Sequence, residues 1–372
     1  MGQRCAGVCC AAHNAGERRT MAKKLSTAIQ VGFGRENWER ALDFVVEAEK
    51  LGVGYAWSAE AWGSDGISPL AYVAARTSRI KLGTGILQAG TRTPALIGMT
   101  AATMAALTGG RFILGLGTSG PQVIEGFHGI PFKRPITRMR EIIEIARIVQ
   151  SGEKVSYSGK VYELPLPGGE GKAIRSMMGQ TEPVPVYLAT LSPKSLEMTG
   201  EIADGWLGTS FMPEHADAFF DHMRKGADKA GRSLDDLDLQ VGGVVAFSDD
   251  VEALYPPRKP GLAFTLGAMG SRKHNFYNRA FQRAGYEGIA QEAQKRWLDG
   301  DRQGAAELVP DEMVAQTNLL GTDDMVKDRI RAYRDCGIST IRIDPEGADI
   351  NGKLETLGRF MGLLDEVNAE AS

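Results

Sequence analysis

The sequence predicts an α/β fold, a (β/α)8 barrel of the TIM type with two long insertions. Three observations carry this. Eight short apolar runs alternate with amphipathic helical stretches, the pattern of parallel strands joined by helical crossovers. Eight units favour closure into a barrel over an open doubly wound sheet. No linker-like segment divides the 372 residues, and hydrophobic residues make up 43% of them, enough for a large core.

Residues 27–33 (TAIQVGF) read as a buried first strand. A helix follows over 36–51, because Trp38, Ala41, Leu42, Val45 and Ala48 share one face and Gly52 sits where a helix-ending glycine belongs. The second strand is 54–58, and its helix, 68–77, has Pro69 in the first turn. Residues 80–87 (IKLGTGIL) form the third strand, followed by a helix over about 94–107. The fourth strand, 111–116, has its helix late, at about 137–150. The fifth strand is 184–189 with a helix over 193–203; the sixth is 205–209 with a helix near 214–230. The seventh is 237–247, and the eighth, 339–343, lies between helices at 323–336 and 353–367.

Two inserts break the rhythm. Residues 151–183 hold a hairpin-like segment and a Gly-rich loop, and 249–321 carry Pro256, Pro257 and Pro260, then short helices. Residues 1–24 read as a disordered N-terminal extension or a misassigned start, with Met21 opening the run before the first strand. Residues 25–372 then form a single barrel domain.

Composition excludes several classes. The 46 acidic and 43 basic residues leave a net charge of −3, with no basic footprint for nucleic acid. No run reaches the roughly 20 apolar residues of a membrane helix. Cys5, Cys9 and Cys10 crowd the first ten residues and Cys336 stands alone, so no disulfide framework spans the chain and the cytoplasm is the expected compartment. No zinc spacing, Walker A, H-E-x-x-H or G-x-S-x-G is present, and no metal site is expected. His215 and His222, seven apart, read as solvent-facing rather than as metal ligands. Glycine is high, 46 residues, which suggests tight turns or close backbone approach to a ligand.

In such barrels the chemistry sits on loops after the strand C-termini. Strand four runs into Gly115-Leu116-Gly117-Thr118-Ser119-Gly120, a G-x-G-x-x-G string. A dinucleotide fingerprint requires a helix to open at once; Pro121 and a long loop are read here instead. What survives is a glycine backbone that can approach a flat or anionic ligand. After strand five, Ser192-Pro193 reads as an N-cap and first-turn proline, a helix start that also suits a phosphate. Glu60, the first acidic residue after strand two, is either an Arg partner or a proton-handling carboxylate raised in pKa against Trp62. His128 is either a surface loop histidine or the rival catalytic group.

The strings Ala59-Glu60-Ala61-Trp62-Gly63-Ser64-Asp65, Leu82-Gly83-Thr84-Gly85-Ile86, Arg92-Thr93-Pro94 and Ser119-Gly120-Pro121-Gln122-Val123 resemble the luciferase-like monooxygenase superfamily. They resemble more narrowly its actinobacterial branch of coenzyme F-420 (8-hydroxy-5-deazaflavin) dependent oxidoreductases, over roughly residues 25–345. Ala203-Asp204-Gly205-Trp206-Leu207 fits as well.

The resemblance implies a bacterial-luciferase-like barrel with the deazaflavin across its C-terminal mouth. It implies a cis peptide at Gly85–Ile86 backing the ring, with Gln88 beside it. It implies cofactor contacts from Thr118, Ser119, Gly120 and Gln122 after strand four and from Ala189, Thr190, Leu191 and Ser192 after strand five, with both loops binding the cofactor phosphate. Relatives often carry Asp-His where this chain has Glu60-Ala61, so the proton role falls to Glu60, to His128 or to water. The implied activity is hydride transfer between deazaflavin and a small organic substrate, in a homodimer. The alternatives are an FMN-dependent monooxygenase and a non-catalytic flavin-binding protein.

Overall fold

The computed structural model describes residues 24–32, 38–270 and 275–370. The expectations for residues 1–23, and for the start of the first helix, lie outside the described residues.

Eight parallel strands close into a ring: β1 (Ser26–Gln30), β2 (Tyr55–Ser58), β3 (Lys81–Thr84), β4 (Phe112–Gly117), β5 (Val186–Ala189), β6 (Gly205–Leu207), β7 (Asp238–Phe247) and β8 (Thr340–Pro345). Each pairs with the next, and β8 returns to β1 through Ala28↔Arg342. Helices pack around the ring because their apolar stripes face it. Leu42, Val45 and Ala48 are buried from the helix Trp38–Lys50, and Thr93 and Pro94 open the helix Pro94–Thr108, which ends at Gly109 in the left-handed region.

Large and small residues share the barrel interior. Tyr55, Trp57, Ile113, Tyr187 and Leu207 form an inner cluster separate from the sheet–helix core. Their bulk is matched by glycines. A Cβ on Gly83 would lie 2.2 Å from the Trp57 ring, and one on Gly205 2.6 Å from Tyr187. Some of the glycines therefore serve packing inside the ring, a role the composition did not suggest.

The interior floor is polar. The Trp57 indole donates to Gln240 Oε1 at 3.0 Å, and Gln240, Tyr187, Ser339 and Thr340 all donate to Asp238. Burial, with the Asp238 charge next, pushes the phenols of Tyr55 and Tyr187 up.

Four features differ from the sequence reading. The third strand is broken: it stops at Thr84 and resumes as Leu87–Gln88. A ninth parallel strand, Leu319–Gly321, joins the end of β7 on the side that β6 has left. A short helix, Pro121–Ile124, opens directly after β4, ahead of the main helix Pro135–Gln150. His215 and His222 are half-buried rather than solvent-facing: His215 packs edge-on to Tyr286, and burial with the nearby Arg283 charge lowers the pKa of His222.

The first insert holds a two-residue hairpin pair, Tyr157–Ser158 with Glu163–Leu164. The second folds into the helices Lys259–Gly267, Phe276–Phe281, Glu287–Leu298, Arg302–Glu307 and Asp311–Thr317. It has its own apolar cluster, seated on Met212, Ala246 and Leu320 of the barrel. Among the described residues no helix is long and apolar enough to cross a membrane.

Candidate active site at the barrel mouth

The break in the third strand shapes one wall of the mouth. Leu82 and Gly83 pair with Phe112 and Ile113, but Leu87 and Gln88 pair with Leu116 and Gly117, so the register slips by one residue between them. This is a bulge, a device for re-aiming backbone beside a site. The buried Thr84 hydroxyl fills the gap in the ladder, donating to Gly115 O at 2.8 Å and accepting from Gly115 N at 2.9 Å. The Gly85–Ile86 peptide is cis, as the resemblance implied. Gly85 N donates to Ser58 O and Ile86 O accepts from Glu60 N, so the end of β2 holds this unit. A Cβ on Gly117 would meet the Ile86 side chain at 3.0 Å.

Glu60 sits on the next loop. Its Oε2 accepts from Arg92 at 2.7 Å and from Gly66 N at 3.2 Å, which leaves Oε1 without a hydrogen bond among the described residues. The side chain is 9% exposed, but Trp62 is 59% exposed. Trp62, the apolar wall expected beside Glu60, thus stands largely in solvent. Gln88 is fully buried; its amide donates to the carbonyls of Glu60 and Ala61, and its Oε1 has no partner among the described residues. It ties two loops together from beneath.

After β4, Ser119 holds a left-handed φ of 54° and Gly120 caps the short helix. Such a conformation is uncommon for a non-glycine residue and concentrates at functional sites. Thr118 lines a small recess with Ala89, Gly90, Lys133 and Arg138. Gln122 is exposed. His128 closes the loop, edge-on to Phe127 at 5.1 Å, with Nε2 shielded and unpartnered.

After β5, Ala189 lies against the inner cluster and Thr190 is buried against Thr199. Ser192 is the N-cap of the helix Pro193–Ile202, in a capping box with Ser195. The Leu191 carbonyl accepts from Arg283 at 2.6 Å, a residue of the second insert. The structure thus assembles the four β5-loop positions at one helix start and adds a cation there.

The description luciferase-like monooxygenase matches residues 6–340. The chain belongs to the luciferase-like monooxygenase family. A Mycobacterium tuberculosis protein bearing the name coenzyme F-420-dependent oxidoreductase is 35% identical over 341 residues, 88% of this chain and 97% of its own length. A 5,10-methylenetetrahydromethanopterin reductase of Archaeoglobus fulgidus is 26% identical, over 85% of this chain and 92% of its own. The solved coenzyme F-420-dependent tetrahydromethanopterin reductase of Methanopyrus kandleri superposes with a TM-score of 0.72 at 25% identity, over 90% of this chain and 97% of that one.

This luciferase-like mouth contains functional candidates that sequence reasoning missed. Among the described residues, six partly buried arginines have a sealed Nε with no hydrogen-bond partner: Arg92, Arg138, Arg258, Arg283, Arg329 and Arg342. Three of them are ion-paired, Arg92 with Glu60, Arg258 with Glu346 and Arg329 with Glu214. Arg138, Arg283 and Arg342 have no carboxylate partner among the described residues; they donate to the carbonyls of Pro131, Leu191 and Gly208. All three lie on the C-terminal side of the barrel. Burial lowers the pKa of Arg342 to about 10. The only sequence signal for Arg342 was its interior position in the alternation of β8.

Proposed function

We propose that the chain is a coenzyme F-420-dependent oxidoreductase that moves a hydride between the deazaflavin and a small organic substrate. The observation that carries the reading is the set of arginines at the mouth without carboxylate partners. A buried unpaired charge costs several kcal/mol, and an anionic ligand offsets that cost. A phosphate-bearing cofactor fits the two sites on the cofactor side. Family membership points to the same ligand class.

When bound, the deazaflavin supplies a ring carbon that carries or accepts the hydride. The protein's part is to bind, orient and exclude water. The positive dipole end of the helix opened by Ser192 faces this loop, and Arg283 beside Leu191 adds charge, so Ala189 to Ser192 would hold the phosphate. Gly85 and Ile86, with Gln88 beneath, would back the ring. Thr118, Ser119, Gly120 and Gln122 border it, with Arg138 and Lys133 at the same corner.

Two groups compete for the substrate proton. Glu60 has one oxygen committed to Arg92 and Gly66. His128 has an unpartnered ring nitrogen, and we assign it the leading role, with Glu60 second.

Titrating the full chain separately with F-420 and with FMN tests the reading, followed by absorption and calorimetry. Tighter binding of F-420 is expected. Tighter FMN binding, or oxygen-dependent turnover with reduced FMN, moves the assignment to a monooxygenase. A reduced cofactor that no substrate reoxidises marks a non-catalytic binding protein.

The same reading includes a cytoplasmic homodimer built on a single folding unit. Leu96, Met99 and Leu107 are exposed on the helix Pro94–Thr108, and Met178 of the first insert touches Thr103 there. This apolar surface supports self-association, which light scattering of the eluting protein measures.

A further inference from the structure

We propose that Arg342 and Tyr277 form a binding site for a carboxylate carried by the substrate, which makes the substrate a small organic acid. This rests on the deazaflavin reading only in taking the opposite wall of the mouth for the cofactor.

Arg342 lies on β8, in register with Ala28 of β1 and Gly242 of β7. Ala28 belongs to the inner cluster, so Arg342 points into the barrel. The neighbours on both sides are small, which leaves room beside the guanidinium. Below it, Gln240 and Trp57 close the floor. In the ring order, β3 with its bulge stands across from β7, and β8 is next to β7. Arg342 thus lies on the β7–β8 side of the barrel, across from the wall assigned to the ring.

Its bonding is incomplete. One terminal nitrogen donates to the Gly208 carbonyl, Nε has no partner, and no carboxylate pairs with it among the described residues. Among the described residues its charge neighbour is the Tyr277 phenol of the second insert. Burial raises that phenol's pKa, so it keeps its proton and donates. A planar guanidinium fork with a phenol O–H beside it matches the oxygens of one carboxylate.

The test reads thermal shift and calorimetry on the cofactor-free full chain, so it does not depend on deazaflavin binding. The probes are benzoate, cyclohexanecarboxylate, their primary amides and inorganic phosphate. At least one carboxylate is expected to stabilise the wild type, with its amide and phosphate inactive. Arg342→Gln should raise the carboxylate's Kd by about 10- to 100-fold, the range of a charge-assisted hydrogen bond. Arg342→Lys should recover part of it. Tyr277→Phe removes one hydroxyl, spares the fold and should weaken the same probe. F-420 binding should be unchanged in all three variants.

The proposal is overturned if no carboxylate binds the wild type, if phosphate replaces it, or if Arg342→Gln and Tyr277→Phe bind it normally. It is overturned too if Arg342→Gln loses F-420 instead, since Arg342 then serves the cofactor. A wild type that binds the carboxylate but not F-420 leaves this site standing and sinks the deazaflavin reading.

Discussion

Glu60 and Arg92 form a 2.7 Å ion pair between the loop that follows β2 and the segment leading into the helix Pro94–Thr108. Both side chains are largely withdrawn from solvent, so the pair is more than a surface contact. Arg92→Met leaves Glu60 with the Gly66 amide alone. It should cost about 1–3 kcal/mol, the penalty of an orphaned, partly buried charge. Chemical denaturation of the two proteins measures this, and an unchanged midpoint would show that the pair is dispensable.

His128 and Glu60 are separable by kinetics. His128→Asn should slow single-turnover hydride transfer by about 10²–10⁴-fold with cofactor Kd unchanged. Glu60→Gln, which still accepts from Arg92 and Gly66, should slow it less. The reverse order would return the proton role to Glu60, and no effect from either would leave it to water.

Arg283→Met should weaken F-420 binding by about 10-fold or more, because the charge beside the Leu191 carbonyl is lost. Fluorescence titration of the deazaflavin follows this directly. Equal affinity in the variant would place the phosphate elsewhere.

Gly115 tests the bulge. A Cβ there would lie 1.7 Å from the Thr84 carbonyl oxygen, which is backbone and cannot rotate away. Gly115→Ala should cost about 3 kcal/mol. Gly63→Ala, with nothing within 4 Å, is the control and should be near neutral. Urea unfolding of the pair decides it.

Glu370 gives a pH dependence. Hydrogen bonds from Arg331, and then Arg334, lower its pKa to about 2 from the ordinary 4.5. A carboxyl depressed in the folded state stabilises the fold above its unfolded value. That contribution is lost as pH falls from about 4.5 towards 2. Glu370→Gln should therefore lower Tm modestly at neutral pH, converge with the wild type as pH approaches 2, and so flatten the acid limb in that window.

What the sequence determined by itself was periodic and local. Apolar runs, 3.6-residue faces, Pro94 and Pro193 at first turns, and Gly109 past a helix end depend on neighbours a few residues away. Eight such units in alternation have few ways to close, so the barrel was legible. The cis position at Gly85–Ile86 was legible only through resemblance. Tertiary structure decided what depends on distant partners. Residues 80–87 read as one strand, yet the register against β4 forces a bulge with Thr84 as its bridge. Glu60 read as either an Arg partner or a proton-handling carboxylate, and only the fold brought Arg92, 32 residues on, to its carboxylate. Arg283 and Arg342 carry no motif. Whether an arginine is paired depends on which carboxylates the fold brings within 4 Å, and composition and spacing cannot specify that for residues as far apart in the chain as Glu214 and Arg329.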